Sequence, residues 1–237
     1  MDYEIKLFND YYDTFDMSKE VKIYDKYSHT MRVVNYAEEI ARSLNLSDSD
    51  VTLAKICALF HDIGRFPEWA IYHTYDDSKA FDHGDKSYEI LKSFNYDNPI
   101  VLKAVKYHNK YSIPDNLSDR EALFAKITRD ADKIDIMDRQ GNYLTDDNYT
   151  CNKKILNAFK EHRELKNSDT LSSGSMNVAL RCVAFIFDIN FKKSFEIINQ
   201  KNLVNKKLDM LYDKFKKDEL LEIKDICDKY MEEMLIC

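Results

Sequence analysis

The sequence predicts an all-α fold, and three observations carry that prediction. Only 4 glycines and 3 prolines punctuate 237 residues, too little turn chemistry for the many reversals of a β-rich chain. Apolar residues recur at three- and four-residue steps through successive windows. Several of these windows open on helix-start signatures, either a small polar residue with a carboxylate three positions on or Asn followed by Pro. With hydrophobic residues at 44% and charged ones at 32% the composition is globular, and a chain of this length can bury about 70–75% of its unfolded surface.

Residues 1 to 27, rich in Tyr, Phe, Asp and Lys, are expected to form one or two short helices on the core. From Ser28, read as a cap, Val33, Ala37, Ile40, Ala41 and Leu44 mark one helix face, with His29 at the helix mouth. Ser47-Asp48-Ser49-Asp50 caps an almost wholly apolar helix, Val51 to Phe60, which runs into His61-Asp62 and then Gly64 and Pro67. Residues 64 to 82, with Trp69 and several tyrosines, are expected to be a long loop serving as a lid or binding wall. A helix follows from about Asp85 to Phe94. Asn98-Pro99 opens the next, in which Val101, Ala104, Val105 and His108 share a face. Ser118 and Glu121 form a capping box for a helix through Met137 that carries Asp130, Asp132 and Asp135.

Beyond Gly141 the chain turns lysine-rich and amphipathic. Helices are expected at 152–165, 175–188 and 191–200, and a long one from 204 to about 234 with a stripe of Leu208, Leu211, Tyr212, Phe215, Ile226, Cys227 and Tyr230. The expected organisation is a helical core over 1–140, with its N-terminal helices, and a C-terminal helical appendage over 141–237. That appendage would support the core or form a homodimer face.

The net charge of −7 argues against general nucleic-acid binding, which needs a basic face, and leaves a small anionic substrate open. Five cysteines, with no CxxC pair, give neither a disulfide framework nor a zinc knuckle, which fits a reducing cytoplasm. The N-terminus lacks a basic segment followed by an apolar one, and no apolar run approaches the roughly 18 residues of a membrane span. A soluble cytoplasmic protein with no membrane partner is expected.

An apolar helix that ends in an adjacent imidazole and carboxylate delivers polar groups into the interior, where they need partners. The chain supplies them in order: His29, His61, Asp62, His83, His108 and a carboxylate near residue 132. Helical period leaves Asp130, Asp132 and Asp135 as competitors for the last place, because Leu123, Phe124, Ile127, Ala131 and Ile134 define a broad buried face. Imidazole and carboxylate donors suit Mn, Fe, Co, Ni or Zn, and a carboxylate can bridge two ions about 3.5–4 Å apart; Asp62 is read as that bridge. Arg65 either clamps a phosphate oxygen or pairs with Glu68. Lys133 either reaches a phosphate or holds a ligand carboxylate, while Asp82, Asp85 and Lys86 are supporting candidates. His73 and His162 lie in no motif.

The order H…HD…D, with Leu59-Phe60-His61-Asp62-Ile63-Gly64-Arg65 and Arg129-Asp130-Ala131-Asp132-Lys133-Ile134-Asp135, resembles the HD-domain superfamily of metal-dependent phosphohydrolases over about residues 25 to 140. The resemblance implies an HD-domain helical bundle carrying additional C-terminal helices. It selects Asp132 as the ligand that joins His29, His61 and Asp62 at a first divalent ion, and His83 and His108 place the chain near the six-ligand, dinuclear subset. One or two ions, from Mn, Fe, Co, Ni, Zn or Mg, are implied. So is hydrolysis of a phosphate ester or anhydride in a small nucleotide-like substrate by metal-activated water, with Asp62, Arg65 and Lys133 as catalytic residues. Members that cleave cyclic dinucleotides carry Lys after His-Asp-x-Gly and a Gly-Tyr-Pro signature. Arg65 and the lack of any Gly-Tyr-Pro here point away from that substrate. Two rival readings are an HD-type diiron oxygenase using the same six ligands and a non-catalytic helical binding module with a structural metal.

Overall fold

The computed structural model describes residues 1–15, 21–139, 145, 147–170 and 174–236, and among these every regular element is helical. The chain divides into two compact units, Met1–Asp135 and Ile136–Cys237.

In the first unit, α1 (Asp2–Tyr12), α2 (Val21–Ser43), α3 (Asp48–Phe60), α4 (Arg65–Tyr72), α5 (His83–Ser93) and α6 (Pro99–Tyr107) precede most of α7 (Asp119–Asp138). The expected caps form. Ser47 Oγ accepts from Asp50 N at 3.2 Å, Asn98 Oδ1 accepts from Ile100 N and Val101 N, and Ser118 and Glu121 exchange the two bonds of a capping box. α3 packs between α2 and α6, burying Ala54, Cys57, Ala58 and Phe60 completely. Phe8, Tyr11 and Tyr12 of α1 meet Phe66 of α4 with ring centroids 5.6–6.5 Å apart, so aromatic packing glues the N-terminal helix beneath the start of α4.

Two expectations fail here. α2 starts at Val21, so His29 lies two turns inside the helix and is fully buried; Ser28 is no cap, because the helix is already under way before it, with Ile23 and Lys26 buried on its inner face. The expected loop at 64–82 contains α4 and a 3-10 turn, Asp77–Lys79. Pro67 sits in the first turn of α4, where its missing N–H costs nothing, and α4 ends at His73 in the left-handed conformation (φ 51°).

The second unit holds α8 (Lys153–Lys160), α9 (Ser175–Ala184) continued by a 3-10 turn to Asp188, α10 (Lys192–Gln200), α11 (Leu203–Phe215) and α12 (Asp218–Ile236). The single helix expected from 204 to 234 is two: Lys216 turns left-handed (φ 50°) and Lys217 follows before the chain restarts. The break rephases the pattern. Leu208 and Leu211 are buried as expected, whereas the buried stripe of α12 runs through Leu220, Ile223, Cys227 and Met231 and leaves Ile226 and Tyr230 partly exposed. No helix among the described residues is long and apolar enough to cross a membrane.

Candidate metal centre

The donor cluster lies within the first unit, and each donor enters from the end or inner face of a helix. His29 comes from the second half-turn past Lys26 on α2, and His61-Asp62 from the residues just after α3. His83 opens α5, His108 caps α6, and Asp132 projects from α7. His29, His61, Asp62, His83 and His108 are all under 7% exposed. Three donor groups could each hold a metal ion: His29 with His61 and Asp62, His61 with His108 and Asp132, and Asp62 with His83 and His108.

Asp62 divides its two oxygens between two pairs of imidazoles. Oδ2 lies 3.5 Å from His29 Nε2 and 3.6 Å from His61 Nε2. Oδ1 lies 3.4 Å from His83 Nε2 and 3.6 Å from His108 Nε2. Asp132 Oδ1 joins the first pair at 3.0 Å from His29 and 3.5 Å from His61.

Each imidazole is anchored through Nδ1: His29 to Asp135 Oδ2 at 2.6 Å, His61 to the Ala58 carbonyl at 2.7 Å, His83 to Asp77 Oδ2 at 2.7 Å and His108 to the Val105 carbonyl at 2.7 Å. A ring that donates from Nδ1 presents a lone pair at Nε2 unless it is protonated. Yet Nε2 of His29 and His61 face each other at 3.3 Å, and those of His83 and His108 at 3.1 Å. Such contacts repel unless a proton or a cation lies between them. Burial and Lys26 oppose charge on His29, but Asp132, Asp135 and Asp62 outweigh them and raise its pKa to about 9. Burial, helped by Arg65, lowers that of His83 to about 4, so His83 brings no such relief to its contact. Asp132 Oδ1, buried, is left without a well-formed hydrogen bond. The donor set therefore fits a divalent cation at either pair, with imidazole nitrogen and carboxylate oxygen in the mixture that such ions take.

The neighbouring charges complete the site. Burial acts against the Asp62 carboxylate, but Lys26 and His61 hold it well below the usual carboxylate range. Lys26 Nζ is 2.6 Å from Asp62 Oδ2. Arg65 pairs through Nη1 with Glu68 at 2.6 Å and Asp77 at 2.7 Å, and its Nε stands 3.8 Å from Asp62 Oδ1. The Glu68 partner was the second of the two sequence-based alternatives for Arg65. Asp135, a competitor for the ligand place, stands behind His29 and is itself held by Arg32. Asp130 belongs to none of the three donor groups; it and Lys133 are buried on α7. Asp82 caps α5 and pairs with Lys110, Asp85 pairs with Lys110, and Lys86 pairs with Glu89. His73 and His162 are exposed and outside the cluster.

Sequence reasoning missed Lys26, Asp77, Arg32 and Arg129. Lys26 and Arg32 flank His29 at three-residue steps on α2, a signal that helical spacing contains. Arg129 donates to the carbonyls of Tyr107, His108 and Lys110 and so fixes the end of α6. Its place beside Asp130 gave no hint of this. Gly64 also has a fixed role: a Cβ there would stand 2.5 Å from the His83 carbonyl, and its N–H donates to Ser87 Oγ, which donates in turn to the His61 carbonyl. The turn after His61-Asp62 and the start of α5 are thereby locked together.

Comparison with known proteins agrees with this geometry. Residues 27–137 match the HD domain. Ribonuclease Y of Ureaplasma parvum serovar 3 is 37% identical over 83 residues, which cover 35% of this chain and 15% of that protein, and the same holds in a second strain. Ribonuclease Y of Malacoplasma penetrans is 26% identical over 191 residues, 75% of this chain and 35% of that protein. The chain thus spans well under half the length of these curated relatives. No solved structure matches it. The HD-domain match over residues 27–137 and the histidines and aspartates that converge within it together fit an HD-domain metal-dependent hydrolase.

Proposed function

We propose that the chain hydrolyses a phosphate ester bond in a small ribonucleotide or short oligoribonucleotide, with His29, His61, Asp62 and Asp132 holding one divalent ion and Asp62, His83 and His108 a second. The observation that carries the reading is the division of Asp62, one oxygen to each imidazole pair. Bound divalent ions would supply an acidified water and charge neutralisation at the phosphoryl oxygens. The chain's own residues do the rest. Asp135 and Asp77 hold the rings of His29 and His83 in the orientation that turns Nε2 inward. Arg65, fixed by Glu68 and Asp77, keeps a positive charge beside Asp62 Oδ1, and Lys133 adds another next to Asp132 in sequence. No covalent enzyme intermediate is required. The ribonuclease Y relatives favour a bond between ribonucleotides, and the net charge of −7 favours a short substrate over a long strand.

Metal analysis of the purified protein, followed by a phosphate- and nucleotide-release screen over nucleotides, dinucleotides and short oligoribonucleotides with Mn, Mg, Co, Ni and Fe, tests this. Release with at least one metal, lost in His61→Ala, is the expected result. Iron content with an absorbance change on anaerobic reduction, and no release from any substrate, would replace it with an oxygen-activating reading.

A further inference from the structure

We infer that Lys26 is an exchangeable cation in the site: it is the counter-ion of Asp62 in the metal-free chain and a ligand for the substrate's phosphate group once a metal ion takes over the Asp62 oxygen. The inference rests on the phosphohydrolase reading for its substrate and on geometry for its residue.

Lys26 is 7% exposed, and its Nζ lies 2.6 Å from Asp62 Oδ2. That oxygen is also the one turned toward His29 and His61. A buried ammonium is costly unless paired, and here its partner is a group the site offers to a divalent ion. An ion held by His29, His61 and that oxygen would sit within a few ångströms of Nζ and repel it. The lysine stem is long and flexible enough to re-aim its head without moving α2. Its surroundings limit where the head goes. The ammonium stands 5.3 Å from the ring centroid of Tyr75, whose hydroxyl donates to the Lys22 carbonyl at 2.6 Å, so a ring tethered to α2 keeps the cation near the centre. Arg65 stands 5.8 Å from the same ring but is committed to Glu68, Asp77 and the Tyr75 carbonyl. Between Lys26 and Arg65, Lys26 is thus the one that a metal ion releases. A phosphate that arrives beside the ions is the anion able to receive it.

The test uses calorimetry on the intact chain, first titrating manganese into metal-free protein and then inorganic phosphate into manganese-loaded protein, for wild type, Lys26→Met and Lys26→Arg. The expected result is that Lys26→Met binds manganese at least as tightly as wild type and binds phosphate at least tenfold more weakly, with Lys26→Arg restoring most of the phosphate affinity. Weaker manganese binding with unchanged phosphate affinity would make Lys26 a permanent partner of Asp62 and overturn the inference, as would no change in either. Should wild type bind phosphate through Lys26 yet cleave no substrate in the release screen, the hydrolase reading falls and this one stands.

Discussion

Asp77 grips two functional side chains at once, His83 through Oδ2 and Arg65 through Oδ1, and Asp135 plays the matching part behind His29. Partners of this kind orient a ligating imidazole, and their loss typically weakens metal binding about 10–100-fold. Asp77→Asn and Asp135→Asn are each expected to lower manganese affinity within that range while leaving the fold intact, as read by calorimetry and circular dichroism. At the same scale, Asp62→Ala is expected to reduce bound metal to less than one ion per chain, because both imidazole pairs lose their shared carboxylate; retention of two ions would remove the bridging role. The donors were legible in the sequence because histidines are scarce, with 6 in the chain, and four fall at helix ends or on apolar faces. Asp77 was not, since Asp-Asp-Ser reads equally well as the turn it also makes. Choosing Asp132 over Asp135 needed a family pattern. Only the fold separates a carboxylate facing Nε2 from one facing Nδ1 of the same ring.

Among the elements, α5 is the one whose position the site depends on most, because Gly64 meets its first carbonyl and Ser87 bridges it to His61. Gly64→Ala forces α5 away, and we expect a stability loss of about 1–3 kcal/mol together with loss of metal from the His83–His108 pair; unchanged metal stoichiometry would show that α5 accommodates the methyl group. Lys216, left-handed between α11 and α12, calls for the opposite substitution. Lys216→Gly is expected to stabilise by about 0.5–1 kcal/mol, since glycine reaches that conformation without a Cβ penalty. Helix starts were legible at Ser47, Asn98, Ser118 and Asn152, whose side chains cap; the cap of α5 at Asp82 was not. The break at Lys216 was not. No Gly or Pro marks it, and the lysines on either side fit a helix equally well. α4 was hidden for the opposite reason, because Pro67 signals a loop unless the first turn is already known to begin at Arg65.

For the molecule as a whole, metal binding should appear as stability of the first unit. Trp69, the single tryptophan, lies on α4 in that unit and reports its unfolding by fluorescence. At an ion concentration about 100 times Kd, linkage adds about 2.7 kcal/mol, so chelation should lower the Trp69 transition and readdition of manganese should restore it. A Trp69 transition indifferent to chelation would argue that no ion binds. The second unit has its own pH signature. Arg163, and then the Lys166 backbone N–H, hold the Asp169 carboxyl below its ordinary value. A depressed folded pKa stabilises fully above the unfolded value, near 3.9, and that contribution fades as pH falls below it. Asp169→Asn should therefore cost about 1–3 kcal/mol at neutral pH and progressively less as the pH drops through 4, by denaturant titration followed with circular dichroism.

The shared carboxylate also sets how the site fills. One oxygen of Asp62 faces each imidazole pair, so in the proposed two-ion site an ion taken up on one side would draw electron density from the other and leave its own positive charge across a single carboxyl group. The two positions would then be chemical partners but energetic competitors, with negative cooperativity built into one residue. Stepwise occupancy would follow, one ion per chain where metal is scarce and two only where it is plentiful, and the proposed activity would track the metal supply.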